Sequence, residues 1–112
     1  MPLSKHAVTE VPSDVVTRLK TTYPKLLAWN HEIAGMVVCK PLGVDGFNRF
    51  LDKTSGEFNK SEVARIFNDC VLYPTGDVLA AVTEEVPALP YTIGNAVLRE
   101  AGLTAGVEKK EL

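Results

Sequence analysis

His31-Glu32 is the one place in this chain where a histidine adjoins a carboxylate, the pairing on which general acid-base chemistry usually rests. Neighbouring residues point in different directions on a strand or a helix, so adjacency alone does not make a dyad. A zinc-binding helix would need a second histidine four positions on, and position 35 is glycine. His31 is therefore read as a turn residue. Glu84-Glu85 fails as a carboxylate pair for a similar reason: on a helix the two side chains diverge by about 100° and face solvent. Asp45 and Asp52 flank a short helix and read as end residues, Asp45 favoured by the positive end of the helix dipole.

The other reactive types are equally scattered. Cys39 and Cys70 lie 31 positions apart, with His6 and His31 elsewhere, which is no ligand spacing for a metal. Cys70 falls on an apolar helical face, where a free thiol packs as a small hydrophobe. Gly43-Val-Asp-Gly46 lacks the Lys-Ser/Thr that completes a phosphate loop. No serine or threonine stands in a nucleophile-elbow context. The expectation is a non-catalytic protein with no cofactor, no metal and no catalytic residues. The side chains suited to contact with another protein are Trp29, Tyr73 and Tyr91, rings that combine apolar area with a polar handle.

Totals narrow the class further. With 112 residues, 46% hydrophobic and 23% charged, the chain has the composition of one globular domain. Twelve basic residues are dispersed among fourteen acidic ones, giving a formal charge of -2, and no basic stripe is present to neutralise phosphates. Nucleic acid is not expected as a partner. No apolar run approaches the roughly 18 residues of a spanning helix, so no membrane partner is expected either. The N-terminal Met-Pro-Leu-Ser-Lys-His lacks the apolar stretch of a secretory signal.

The elements follow from punctuation and periodicity. Residues 1–12, with Pro2 and Pro12, read as a flexible N-terminal arm. Ser13 is the expected N-cap of a helix from Asp14 to Thr22 carrying Val15, Val16, Leu19 and Tyr23 on one arc, ended by Pro24. Leu26–Trp29 and Ala34–Lys40 read as two extended segments turned at Asn30-His31, the second closed by Pro41. Asp45 starts a helix through Lys53 with Phe47, Phe50 and Leu51 on one face, followed by a loop at Thr54-Ser55-Gly56. Asn59 and Glu62 stand in capping-box spacing before Val63, Ile66, Phe67, Cys70 and Val71, the clearest amphipathic face in the chain, which Tyr73-Pro74 stops.

Thr75 or Asp77 caps the next helix, with Val78, Leu79, Val82 and Val86 in one arc and Pro87 at its end. Pro90 begins the last, whose apolar face is Ile93, Ala96, Val97 and Ala101, with Gly94 permitting close helix approach. Gly102 and Leu103 supply its C-terminal cap. The reading is an α+β, mostly α fold: a short N-terminal helix, a β-hairpin or strand pair, then about four short helices. It forms one globular domain over 13–103, with a flexible tail at 104–112.

This order of motifs resembles a family of small phage and prophage tail assembly chaperones. The resemblance rests on extended Val37-Val-Cys-Lys-Pro41, the helix with Phe47-Asn-Arg-Phe-Leu51, Asp69-Cys-Val-Leu-Tyr-Pro74, Val86-Pro-Ala-Leu-Pro90, and Ile93-Gly-Asn-Ala-Val97 running to Ala101-Gly102. It covers Val37 to Gly102 and leaves the first third unmatched. It implies a protein of the bacterial host cytoplasm that binds the tape-measure protein, keeps its apolar helices soluble and helps recruit tail tube protein. The family has no active-site residues to carry over. A homo-oligomer would suit such a role, because symmetric assembly multiplies weak contacts along a long client. The alternatives are a structural tail component, such as a completion or connector protein of the virion, and a small ligand-binding regulator or enzyme whose site only folding assembles.

Overall fold

The structure, a computed structural model, describes residues 2–54, 59–103 and 109–111. The chain runs through helix α1 (Ser13–Thr22), strands β1 (Leu27–His31) and β2 (Gly35–Cys39), and helices α2 (Val44–Thr54) and α3 (Lys60–Cys70). It continues through strand β3 (Val71–Tyr73) and helices α4 (Gly76–Glu85) and α5 (Leu89–Glu100). The class is α+β and mostly helical, with a three-stranded antiparallel sheet in the order β1-β2-β3.

The hairpin registers Leu27 with Cys39 and His31 with Gly35. Its turn is Glu32–Ala34, not the expected Asn30-His31. His31 ends β1, and its Nδ1 accepts the amides of Ile33 at 3.1 Å and Ala34 at 3.0 Å, which stabilises the reversal three residues later. Gly35 then enters β2 at φ +80, backbone that a side chain would strain.

A third strand was not expected. The helix read as continuing through Val71 stops at Cys70, and Val71–Tyr73 extends along β2, pairing Tyr73 with Val38 and Val71 with Cys39 across an irregular step. Two forces favour this. The residue before Pro74 avoids helical geometry, and Val71 and Tyr73 suit a strand. β2 also has outward amides to satisfy, and Lys40 donates to the Cys70 carbonyl at 2.9 Å.

Helices α2 to α5 cover one face of this sheet. Val37 and Cys39 meet Phe50 of α2, Val63, Ile66, Phe67 and Cys70 of α3, Val82 of α4, and Leu89, Ile93, Val97 and Leu98 of α5, all buried in one cluster. At its centre α3 and α5 touch closely: a Cβ built at Gly94 would stand 2.5 Å from the Val63 carbonyl oxygen. Leu98 takes the buried position expected of Ala101, which is exposed, and Val78 is also exposed.

The helix ends differ from the expected caps. Pro12 occupies the N-cap of α1 without a side-chain bond, so Ser13 lies inside the first turn. Asp45 also lies within the first turn of α2, which begins at Val44, and Thr54 belongs to that helix. Residues 55 and 56 of the expected loop fall outside the described residues. Asn59 caps α3 by accepting the Glu62 amide at 3.2 Å, whereas the Glu62 carboxylate bonds Arg65 in place of the Asn59 amide. Thr75 holds the N-cap of α4 with no side-chain bond. Gly102, at φ +94, donates to the Arg99 carbonyl at 2.9 Å and Leu103 to Leu98 at 3.1 Å, completing the left-handed cap. Of the expected C-terminal tail, 104–108 and 112 lie outside the described residues.

Candidate functional site

β2 reads Met36-Val37-Val38-Cys39, apolar at every position, so both faces of the sheet need cover. Alternation sends Val37 and Cys39 to the helical core and Met36 and Val38 to the opposite face. There the cover is thin. α1 lays Leu19 and Val16 over the sheet, and residues 9–11 run alongside, leaving a groove of about 420 Å³. Its floor is Ala28, Met36 and Val38, and its walls are Val11, Val16, Leu19 and Leu26, with Thr9, Glu10 and Lys20 as the polar members. Leu19 and Val38 are buried, Val16 and Met36 half-buried, and Ala28 exposed. A smaller cleft beside Lys20, Tyr23, Pro24 and Leu26 adjoins it through shared residues.

The segment read as an N-terminal arm forms part of this site. The Ser4 amide donates to the Ile33 carbonyl at 2.8 Å, and the Met36 amide donates to Val8 at 2.6 Å, with Val8 bridged in parallel to Gly35. His6 Nδ1 pairs with the Glu85 carboxylate at the end of α4. That carboxyl is held below its ordinary range chiefly by the His6 hydrogen bond, with the Ser4 hydroxyl, the His6 charge and the Lys5 amide assisting against partial desolvation.

The residues singled out for chemistry are placed apart. The Nδ1 of His31 is occupied by turn amides, so its ring serves as a local cap. Glu84 is exposed and Glu85 is engaged by His6. Cys39 and Cys70 are brought together in the core as free thiols. Burial pushes the Cys39 thiol up to about 12, with a smaller contribution from Cys70, and burial raises Cys70 as well. Both stay protonated, the unreactive form. Among the described residues no three His, Cys, Asp or Glu side chains are grouped to hold a metal ion, and no helix is long and apolar enough to cross a membrane.

The three contact candidates occupy different places. Trp29 is half-buried against the core and lines a cleft of about 340 Å³ with His31, Thr92, Ile93 and Ala96. Tyr73 is half-buried in β3, and Tyr91 is exposed on α5. Neither lines that cleft or the apolar groove. The groove residues escaped the sequence reading, although the uninterrupted apolar run at 36–39 beside an amphipathic helix was the signal for them.

A family model for a domain of unknown function, DUF6848, matches residues 35–110, more than half of the chain. The protein belongs to this family. The DUF6848 match begins at β2 and takes in every later element, so the groove straddles its boundary, with its floor strand inside and α1 outside. In fold, the chain is similar to the solved structure of the uncharacterised protein rbstp2171 from Bacillus stearothermophilus, with a TM-score of 0.68 at 18% identity over 85% of this chain and 99% of that one. That share exceeds the DUF6848 segment, so the common fold includes residues before Gly35. No curated protein matches in sequence.

Proposed function

We propose that this chain is a tail assembly chaperone of phage or prophage origin, non-catalytic, acting in the bacterial host cytoplasm by holding an apolar segment of the tape-measure protein while tail tube protein is recruited. The motif order from Val37 to Gly102 supports the family reading, and the groove between α1 and the outer face of the sheet supports the binding role. That groove is the observation that carries the proposal: its floor and most of its walls are aliphatic, and its polar side chains are few. A client helix or strand that would otherwise self-associate gains by burying its apolar side chains there, at roughly 25 cal/mol per Å² removed from water.

Co-expression tests it. A tape-measure fragment encoded in the same gene cluster is expressed with the native chain, with Ala28→Glu or with Met36→Gln, and its soluble fraction is measured. The native chain raises that fraction, and the groove variants, folded by circular dichroism, do not. A fragment equally insoluble with and without the native chain refutes the proposal. Recovery of the chain in purified mature particles favours the structural tail component instead.

A further inference from the structure

One wall of the apolar groove is formed by a segment outside the helices and named strands, held by backbone bonds to the hairpin and by one side-chain pair. β3 accompanies β2 only from Cys39 to Val38 before the chain turns away at Pro74, leaving the Gly35–Met36 edge of β2 for another partner. Val8 fills that place: its carbonyl accepts the Met36 amide at 2.6 Å. The fit is specific, because a Cβ at Gly35 would collide with the Val8 carbonyl oxygen. The chain then passes through Thr9, Glu10 and Val11 along the groove before entering α1.

At its other end the segment is held by the Ser4 amide, which donates to the Ile33 carbonyl at 2.8 Å, and by Glu85. A carboxylate in the last turn of a helix faces the negative end of the helix dipole, and α4 has no basic residue in that turn to offset it. The compensation comes from outside the helix: His6 pairs with the carboxylate. This pair joins the segment to a side chain 79 positions away from His6.

We infer that residues 4–11 are a strap, latched by Glu85, that regulates access to the apolar groove. Latched, the strap completes the groove wall and occupies the edge of β2. Released, it exposes the Met36 amide and the arm side of the groove to an incoming client segment. The regulatory role rests on the groove being the client site, whereas the latch itself does not.

Hydrogen exchange and dye binding on the full chain test both parts. Glu85→Ala and His6→Ala are each expected to accelerate exchange of the Met36 amide at least tenfold, leave the Val97 and Leu98 amides unchanged, and raise fluorescence of 8-anilinonaphthalene-1-sulfonate. Glu84→Gln, the exposed neighbour, leaves all three readouts at native values. Met36 protection equal to native in both latch variants overturns the inference, as does faster Met36 exchange with unchanged dye binding. If exchange and dye binding both rise while a tape-measure fragment stays insoluble with every variant, the strap stands and the chaperone function fails.

Discussion

Replacing Gly94 with alanine tests the packing that holds the helical layer together. In an exposed helix interior the change stabilises, because alanine exceeds glycine in helix propensity by about 1 kcal/mol. Here the new methyl would lie 2.5 Å from the Val63 carbonyl oxygen and 2.7 Å from its Cγ1. The carbonyl belongs to the backbone of α3 and cannot swing aside. Restoring an ordinary 3.4 Å contact needs a retreat of roughly 0.9 Å between α3 and α5. A gap of that order forfeits about a quarter to a half of the dispersion energy of the contacts it opens, here those around Ile66, Phe67, Ile93 and Val97. Overpacking of this kind costs about 1–3 kcal/mol, enough to outweigh the propensity gain in most of that range.

The net expectation for Gly94→Ala is a loss of up to about 2 kcal/mol. The control is Gly46→Ala in α2, where the added Cβ meets the Leu42 Cδ1 at 2.7 Å, the free end of a flexible side chain. That variant is expected to be neutral or up to about 1 kcal/mol more stable. Urea denaturation followed by circular dichroism measures both, with equal slopes required for the comparison. A Gly94→Ala protein as stable as the native chain, or a parallel shift of the two variants, would refute the argument from close helix approach.

Phe67→Ala, which empties a fully buried ring site in α3, should cost about 3–5 kcal/mol, read as a fall in the urea midpoint. Glu85 predicts a loss on acidification: its carboxyl is depressed in the folded state, so its contribution is present above the unfolded value of 4.5 and disappears as pH falls through the folded one. An acid titration of thermal midpoint should therefore separate native from Glu85→Ala above that range and bring them together below it. Cys39 works in the opposite direction. Its thiol is raised from 9.0 to about 12, so stability is complete below pH 9.0 and declines as pH rises towards 12, and Cys39→Ala should flatten that alkaline decline. His31→Phe leaves the Ile33 and Ala34 amides without their acceptor and should cost about 1–3 kcal/mol, measured by the same denaturation.

What was legible in the sequence was the part governed by local rules. Pro24, Pro41 and Pro87 ended elements, the Asn59 side chain capped α3, and Gly102 closed α5, all through backbone constraints within a few residues. β3 was hidden because three residues carry no periodicity of their own and follow a helix with no spacer; the pairing demand of β2 decides their state. The groove was hidden for a different reason. Its residues come from the strap, α1, Leu26 and both hairpin strands, and its aliphatic side chains lack the amphipathic signature that marks Trp29, Tyr73 and Tyr91. The His6–Glu85 contact spans nearly the whole fold and has no signal along the chain.

The direct passage from α3 into β3 has a mechanical consequence. With no residue between Cys70 and Val71 to absorb a twist, the azimuth of the helix fixes which strand side chains meet β2. One residue inserted at that junction would exchange Leu72 for its neighbours across the sheet while leaving the hydrophobic stripe of α3 in place. Length at this joint therefore sets how the two layers are geared to each other.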